Sequence, residues 1–268
     1  MIHKTAIIND GAQIASNVEI GAFCVIGENV KIGEGTILKS HVVIDGDTTI
    51  GKNNIIYPFA TVGLIPQDLK FAGEKSQLII GDNNTIREHA TIHLGTKDGG
   101  MITKIGNNCL LMVGVHIAHD CIVGNHVILA NNATLAGHVQ VGDNVVIGGL
   151  SAVHQFVRIG NGAMIGGMSG VESDVIPFGL VMGERANLAG LNLVGMKRQN
   201  ISRDEIHALR NFYKLVFENG GDDNFLNRAT KISQDFSQNS VIKEVMNFIN
   251  AETSRSFCQP KNLNPNHH

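Results

Sequence analysis

Between residues 116 and 156 the chain reads HIAHDC, then LANNATLAGHV, then AVHQF. His116 and His119 stand three apart, Asp120 follows His119 directly, and His138, His154 and Gln155 come later. A neutral imidazole, with an unperturbed pKa of about 6.5, can take a proton from a hydroxyl near neutral pH. A carboxylate beside it can orient the ring and stabilise its charged form. This pairing suits base-catalysed transfer of an acyl group. Three imidazoles, His116, His119 and His138, would also suit a metal ion. Cys121 lies two residues from His119, yet its place in the repeat turns it inward.

The elements that carry these residues follow from a period of six. Aliphatic residues recur at Ile2, Ile8, Ile14 and onward to Val62, again at Ile80, Ile86 and Ile92, and from Ile105 without a break to Val171. The fourth residue after each is small, as at Ala12, Val18, Cys24, Val115, Cys121, Ala133 and Val139. Two inward positions per repeat fit a short strand and a turn, and a 3.6-residue helix cannot produce them. Gly often follows the aliphatic residue and eases the tight turn. None of the eight histidines from His41 to His154 falls on an inward position, so all are expected outside the core or in an interface. Cys24, Cys109 and Cys121 all fall on the small inward position and read as buried, unreactive thiols.

This spacing resembles the hexapeptide-repeat transferases over residues 2–187. The resemblance implies a mainly β fold, a left-handed parallel β-helix, three repeats per coil and a homotrimer. Left-handed winding is that family's departure from the usual right-handed crossover. With three repeats per coil, residues eighteen apart stack about 4.8 Å apart as neighbouring strands. His119, Gly137 and Gln155 then form one column, and Asp120, His138 and Phe156 the next. The Gly137 amide, one coil above His119, would face the oxyanion of a tetrahedral intermediate. Two polar segments, 64–77 and 94–104, read as loops leaving the coil. After about Gly190 the character changes. Ser202 and Glu205 form a capping box, and apolar residues follow at helical spacing: Ile206, Leu209, Tyr213 and Val216; then Phe225, Ala229, Ile232 and Phe236; then Val241, Val245, Phe248 and Ile249. The chain thus divides into a β-helix over 1–187 and a C-terminal α-helical domain over 188–268. Residues 262–268 read as an unstructured tail.

The HIAHDC run, the two segments after it and QDLKFAGE at 67–74 are similar to the UDP-N-acetylglucosamine O-acyltransferase family. That resemblance spans nearly the whole chain. It implies His119 as general base, Gly137 as oxyanion donor and Asp120 in support. It implies Asp68, Lys70, His116, His138, His154, Gln155, Asn192 and Arg198 as substrate-contacting positions. The donor would be a 3-hydroxyacyl acyl carrier protein, and the acceptor the glucosamine 3-OH of UDP-N-acetylglucosamine. The reaction would be direct transfer at the start of lipid A synthesis, without a cofactor or metal. Gly167 matches the residue that sets acyl length, and Gly there implies a chain of about fourteen carbons or more. Arg185, Val194 and Gln199 depart from the family's residues at their positions. Arg198, Arg203, Arg210 and Lys214 form a basic cluster suited to an acidic carrier protein.

Composition narrows the field further. The chain has 268 residues and a net charge of −3, which does not point to nucleic acid. It shows no signal peptide and no apolar run of about 18 residues to span a membrane. Its four cysteines form no CxxC pair, which suits a reduced, cytoplasmic protein. Three other readings compete. A γ-type carbonic anhydrase would use the histidines for zinc. The pathway's N-acyltransferase would need an additional N-terminal domain, while the repeats here begin at Ile2. A non-catalytic solenoid would not need the polar column at His119.

Overall fold

The computed structural model describes residues 1–218 and 224–261. The expected tail at 262–268 lies outside the described residues. The repeats form short strands, most of two residues, that pair in parallel with the strand one coil on; with one antiparallel strand at the C-terminal end, the described residues give three sheets of nine, eight and ten strands. We call these sheets I, II and III. The register is the one the period requires: His116 and Ile117 pair with Thr134 and Leu135, which pair with Ala152 and Val153. Ile117, Leu135 and Val153 therefore stack inside the prism, as do Cys121, Val139 and Val157 on the small inward position. Truncating one of these large aliphatics to Ala would cost about 2–5 kcal/mol, because the stacked coils cannot collapse into the gap.

The chain turns at three corners, and each has its own character. At the corner from sheet II to sheet III, Asx side chains cap the backbone of the coil below. The Asp82 amide donates to Asn107 Oδ1 (2.7 Å), Asn107 to Asn125 (2.9 Å), Asn125 to Asp143 (2.6 Å) and Asp143 to Asn161 (2.8 Å). At the corner from sheet III to sheet I stand bulky residues with left-handed backbone: Phe23, His41, Phe59 and His89, all with φ near 60°. Their rings stack in sequence at 5.0, 5.1 and 5.2 Å. The corner from sheet I to sheet II carries His119 and Asp120, then Gly137 and His138, then Gln155 and Phe156.

Both predicted loops leave the coil. The first lies between strands Thr61–Leu64 and Gln77–Ile80, the second between Thr91–His93 and Ile102–Ile105. After Gly179–Met182 and the antiparallel strand Asn187–Leu191, four α-helices follow among the described residues: α1 (Leu193–Arg198), α2 (Arg203–Tyr213), α3 (Phe225–Ser233) and α4 (Ser240–Asn250). The capping box opens α2 as expected, with Ser202 Oγ accepting from the Glu205 amide. α1 is short and carries no apolar period of its own, so its sequence gives no helical signal. Past α4 the chain straps back onto the β-helix. Asp174, fully buried, accepts from Arg158 Nε (2.8 Å) and Thr253 Oγ1 (2.7 Å) and bridges to Phe257.

Candidate active site

His119 projects from the corner between sheets I and II and is only 7% exposed. Its Nδ1 lies 2.8 Å from Asp120 Oδ2, so with the carboxylate ionised Nδ1 carries the proton and Nε2 keeps its lone pair. The ring passes directly over Gly137: a Cβ placed there would fall 2.5 Å from His119 Cε1 and 2.6 Å from Nε2. Only Gly admits the imidazole this close. At the opposite corner, amides in the same repeat position are capped by Asx side chains. Among the described residues nothing accepts from the Gly137 amide, so a donor stands beside Nε2 unused.

The surrounding groups are packed against this pair. Asp120, 4% exposed, accepts from the Thr96 amide (2.8 Å) and the Thr96 hydroxyl (2.6 Å). His138 meets His119 edge-on at 5.0 Å and stacks on Phe156 at 4.3 Å. Burial draws the His138 pKa down, while Asp120, Asp68 and Asp98 pull against it. The first loop thereby brings Asp68 into electrostatic reach of the site; its Oδ1 accepts from the Lys70 amide at 3.0 Å. His116 Nδ1 lies 2.7 Å from Thr91 Oγ1, and burial followed by His119 lowers its pKa. His93 packs edge-on against His116 at 4.9 Å, and burial, His116 and His119 push it down to about 4. The expectation of surface or interface histidines thus needs correcting for two of them. His93 and His119 point away from the prism core, yet they are 5% and 7% exposed.

The three imidazoles considered for zinc do not form one ligand set. Among the described residues the metal-competent grouping is His119, Asp120 and His138, with ligand atoms within 4.8 Å of one another. Both Asp120 oxygens in it are already engaged by Thr96 and His119. Burial raises the Cys121 thiol pKa to about 12, which removes it as a nucleophile.

Comparison with known proteins decides between the competing readings. A bacterial transferase hexapeptide profile matches residues 29–64 and 102–137, and a profile described as UDP-N-acetylglucosamine O-acyltransferase, domain 2, matches 174–258. The acyl-[acyl-carrier-protein]–UDP-N-acetylglucosamine O-acyltransferase of Rickettsia prowazekii is 58% identical over 260 residues, covering 97% of this chain and 98% of the relative. The chain belongs to the UDP-N-acetylglucosamine O-acyltransferase family. The Azorhizobium caulinodans enzyme of the same name is 52% identical, with 97% and 95% covered. Among solved structures, the Campylobacter jejuni UDP-N-acetylglucosamine acyltransferase matches at 41% identity and TM-score 0.90, covering 97% of this chain and all of that one. The Moraxella catarrhalis O-acyltransferase matches at 46% and 0.88, covering 96% and 99%. The β-helix of this O-acyltransferase is therefore the left-handed one.

Other residues implied by resemblance sit elsewhere on the O-acyltransferase. His154 and Gln155 are exposed at the next coil, where Arg255 of the C-terminal strap holds both: Nη2 is 2.7 Å from His154 Nδ1 and Nε donates to Gln155 O at 3.0 Å. Gly167 lies at a different corner, between sheets III and I, next to Met168, which is 71% exposed. Asn192 caps α1, accepting from the Gly195 amide and donating to Gly162 O, each at 2.9 Å. Arg198 is exposed at the end of α1. The residues that repeat reasoning did not single out are Thr91, Thr96, Thr103, His93 and Arg255. Thr96 lies in a loop outside the period, and Arg255 in a strap whose docking no periodicity encodes.

Proposed function

We propose that this O-acyltransferase moves a 3-hydroxyacyl chain from acyl carrier protein to the glucosamine 3-OH of UDP-N-acetylglucosamine, with His119 as general base. The names of its relatives supply the two substrates. The observation that carries the mechanism is the His119 ring, with Nδ1 on Asp120, packed over Gly137, whose amide has no partner among the described residues. His119 Nε2 takes the 3-OH proton as the oxygen attacks the thioester carbonyl. The Gly137 amide stabilises the resulting oxyanion, and Asp120 stabilises the imidazolium. The carbon–sulfur bond then breaks, and His119 returns the proton to the departing carrier thiolate. No acyl-enzyme forms. Asp68, Lys70, His116 and His138 surround the sugar; His154, Gln155, Asn192 and Arg198 serve the nucleotide side; Gly167 lines the acyl groove.

Two assembly features belong to this reading. The working unit is a homotrimer. Its subunits cover the edge where Phe23, Phe59, Leu150 and Met168 stand 56%, 51%, 63% and 71% exposed. The acidic carrier protein docks on exposed Arg198, Arg203, Arg210 and Lys214. The reaction runs in the cytoplasm, a setting that suits four free, buried cysteines. Among the described residues, no helix is long and apolar enough to cross a membrane. The test is incubation with 3-hydroxyacyl carrier proteins of several lengths and UDP-N-acetylglucosamine. An O-acylated sugar nucleotide with release of the free carrier thiol is expected; absence of that product with every chain length overturns the proposal.

A further inference from the structure

The second loop reaches Asp120 through Thr96. Thr96, 3% exposed, gives its amide to Asp120 Oδ1 (2.8 Å) and its hydroxyl to Oδ2 (2.6 Å). Oδ2 is the same oxygen that binds His119 Nδ1. Thr103, where the chain rejoins the coil, is fully buried, and its hydroxyl accepts from the Asp120 amide at 2.8 Å. Asp120 needs both supports. Its backbone is left-handed, with φ 59°, and its carboxylate is shut away from water. A buried carboxylate without donors would protonate or turn away. The loop is itself held by the first one: Glu74 accepts from the Lys97 amide, next to Thr96, and from the Ala72 amide, both at 2.9 Å. These amide bonds lower the Glu74 pKa and keep it an acceptor.

We infer that Thr96 is a positioning residue for the catalytic base: its hydroxyl and amide fix the Asp120 carboxylate, and through it the aim of His119. The inference rests on the reading of His119 and Asp120 as base and support. Among the described residues the Thr96 hydroxyl bonds only to Asp120 Oδ2, so the effect of removing it passes through Asp120. A contact that acts only through a second residue vanishes when that residue is removed.

The test is a double-mutant cycle on the full chain, with kcat and KM read in the acyl-transfer assay. Thr96→Val removes the hydroxyl and keeps shape and amide. It should lower kcat about ten- to a hundredfold, the value of a buried hydrogen bond to a charged group. KM for both substrates should stay within about threefold, since no substrate contact is lost. Thr96→Ser should restore kcat. In an Asp120→Ala background, Thr96→Val should change nothing further. Full kcat in Thr96→Val, or an equal loss in both backgrounds, overturns the role of Thr96. Full activity of Asp120→Ala alone overturns instead the reading on which it rests. If the Val variant does not fold, Thr96→Ala takes its place in the same cycle.

Discussion

Replacing Gly137 with Ala probes the closest approach in the site. The backbone there is not left-handed, so Ala is conformationally permitted and the β-helix should form as before. The cost falls on the base. The new Cβ would lie 2.5 Å from His119 Cε1, against an ordinary carbon–carbon contact of about 3.5–4.0 Å. The ring must therefore retreat by about 1 Å. It cannot do so freely, because Nδ1 is tied to Asp120 at 2.8 Å and the His138 ring stands at right angles to it with centroids 5.0 Å apart. A displacement of about 1 Å at a reacting group costs about a hundredfold, and disturbing an oxyanion donor costs about 10²–10³. We expect kcat to drop by about 10²–10³ with KM nearly unchanged and the melting temperature to fall by only about 2–4 °C, the strain being local to the His119 ring. The assay is steady-state transfer of a radiolabelled acyl chain, paired with thermal denaturation. An Ala variant within a few-fold of wild-type kcat would refute both the placement of His119 over Gly137 and the use of that amide.

Three further outcomes follow from the same geometry. A Met side chain at Gly167 would extend from a corner where the nearest atom to a new Cβ is Gly149 O at 3.3 Å; Gly167→Met should shift preference to shorter acyl chains, and an unchanged chain-length profile would remove Gly167 from the groove. His93 is neutral and buried with a pKa near 4, below the ordinary 6.5, so its contribution to stability is intact above about pH 6.5 and lost as pH falls towards 4. That loss is on the order of 3 kcal/mol; His93→Leu should flatten the fall in melting temperature across this window, and an unaltered slope would dismiss His93 as its source. Phe59→Glu places a charge in the aromatic ladder and should reduce a trimer to single chains in sedimentation, whereas an intact trimer would move the subunit interface off this edge.

The fold was legible because one period encodes it. Every sixth residue must fill the prism, so the register that pairs Ile117 with Leu135 and Val153 could be counted out in advance. The same counting placed His119 against Gly137, since residues eighteen apart become neighbours wherever no loop intervenes. It could not foresee what the loops do. Thr96 reaches Asp120 from 24 positions away through a segment with no period. Arg255 escaped for a similar reason: it lies 101 positions from His154, and strap docking leaves no local pattern. Residues at Gly167, Asn192 and Arg198 were assigned by resemblance alone, and they stand apart from the His119 corner.

The most direct measurement compares wild type with His119→Ala in acyl transfer from a 3-hydroxyacyl carrier protein to UDP-N-acetylglucosamine, with circular dichroism to show that both are folded. His119 as sole base predicts a loss of at least about 10²-fold in kcat with the β-helix intact. A folded His119→Ala chain that transfers acyl groups at the wild-type rate would contradict it.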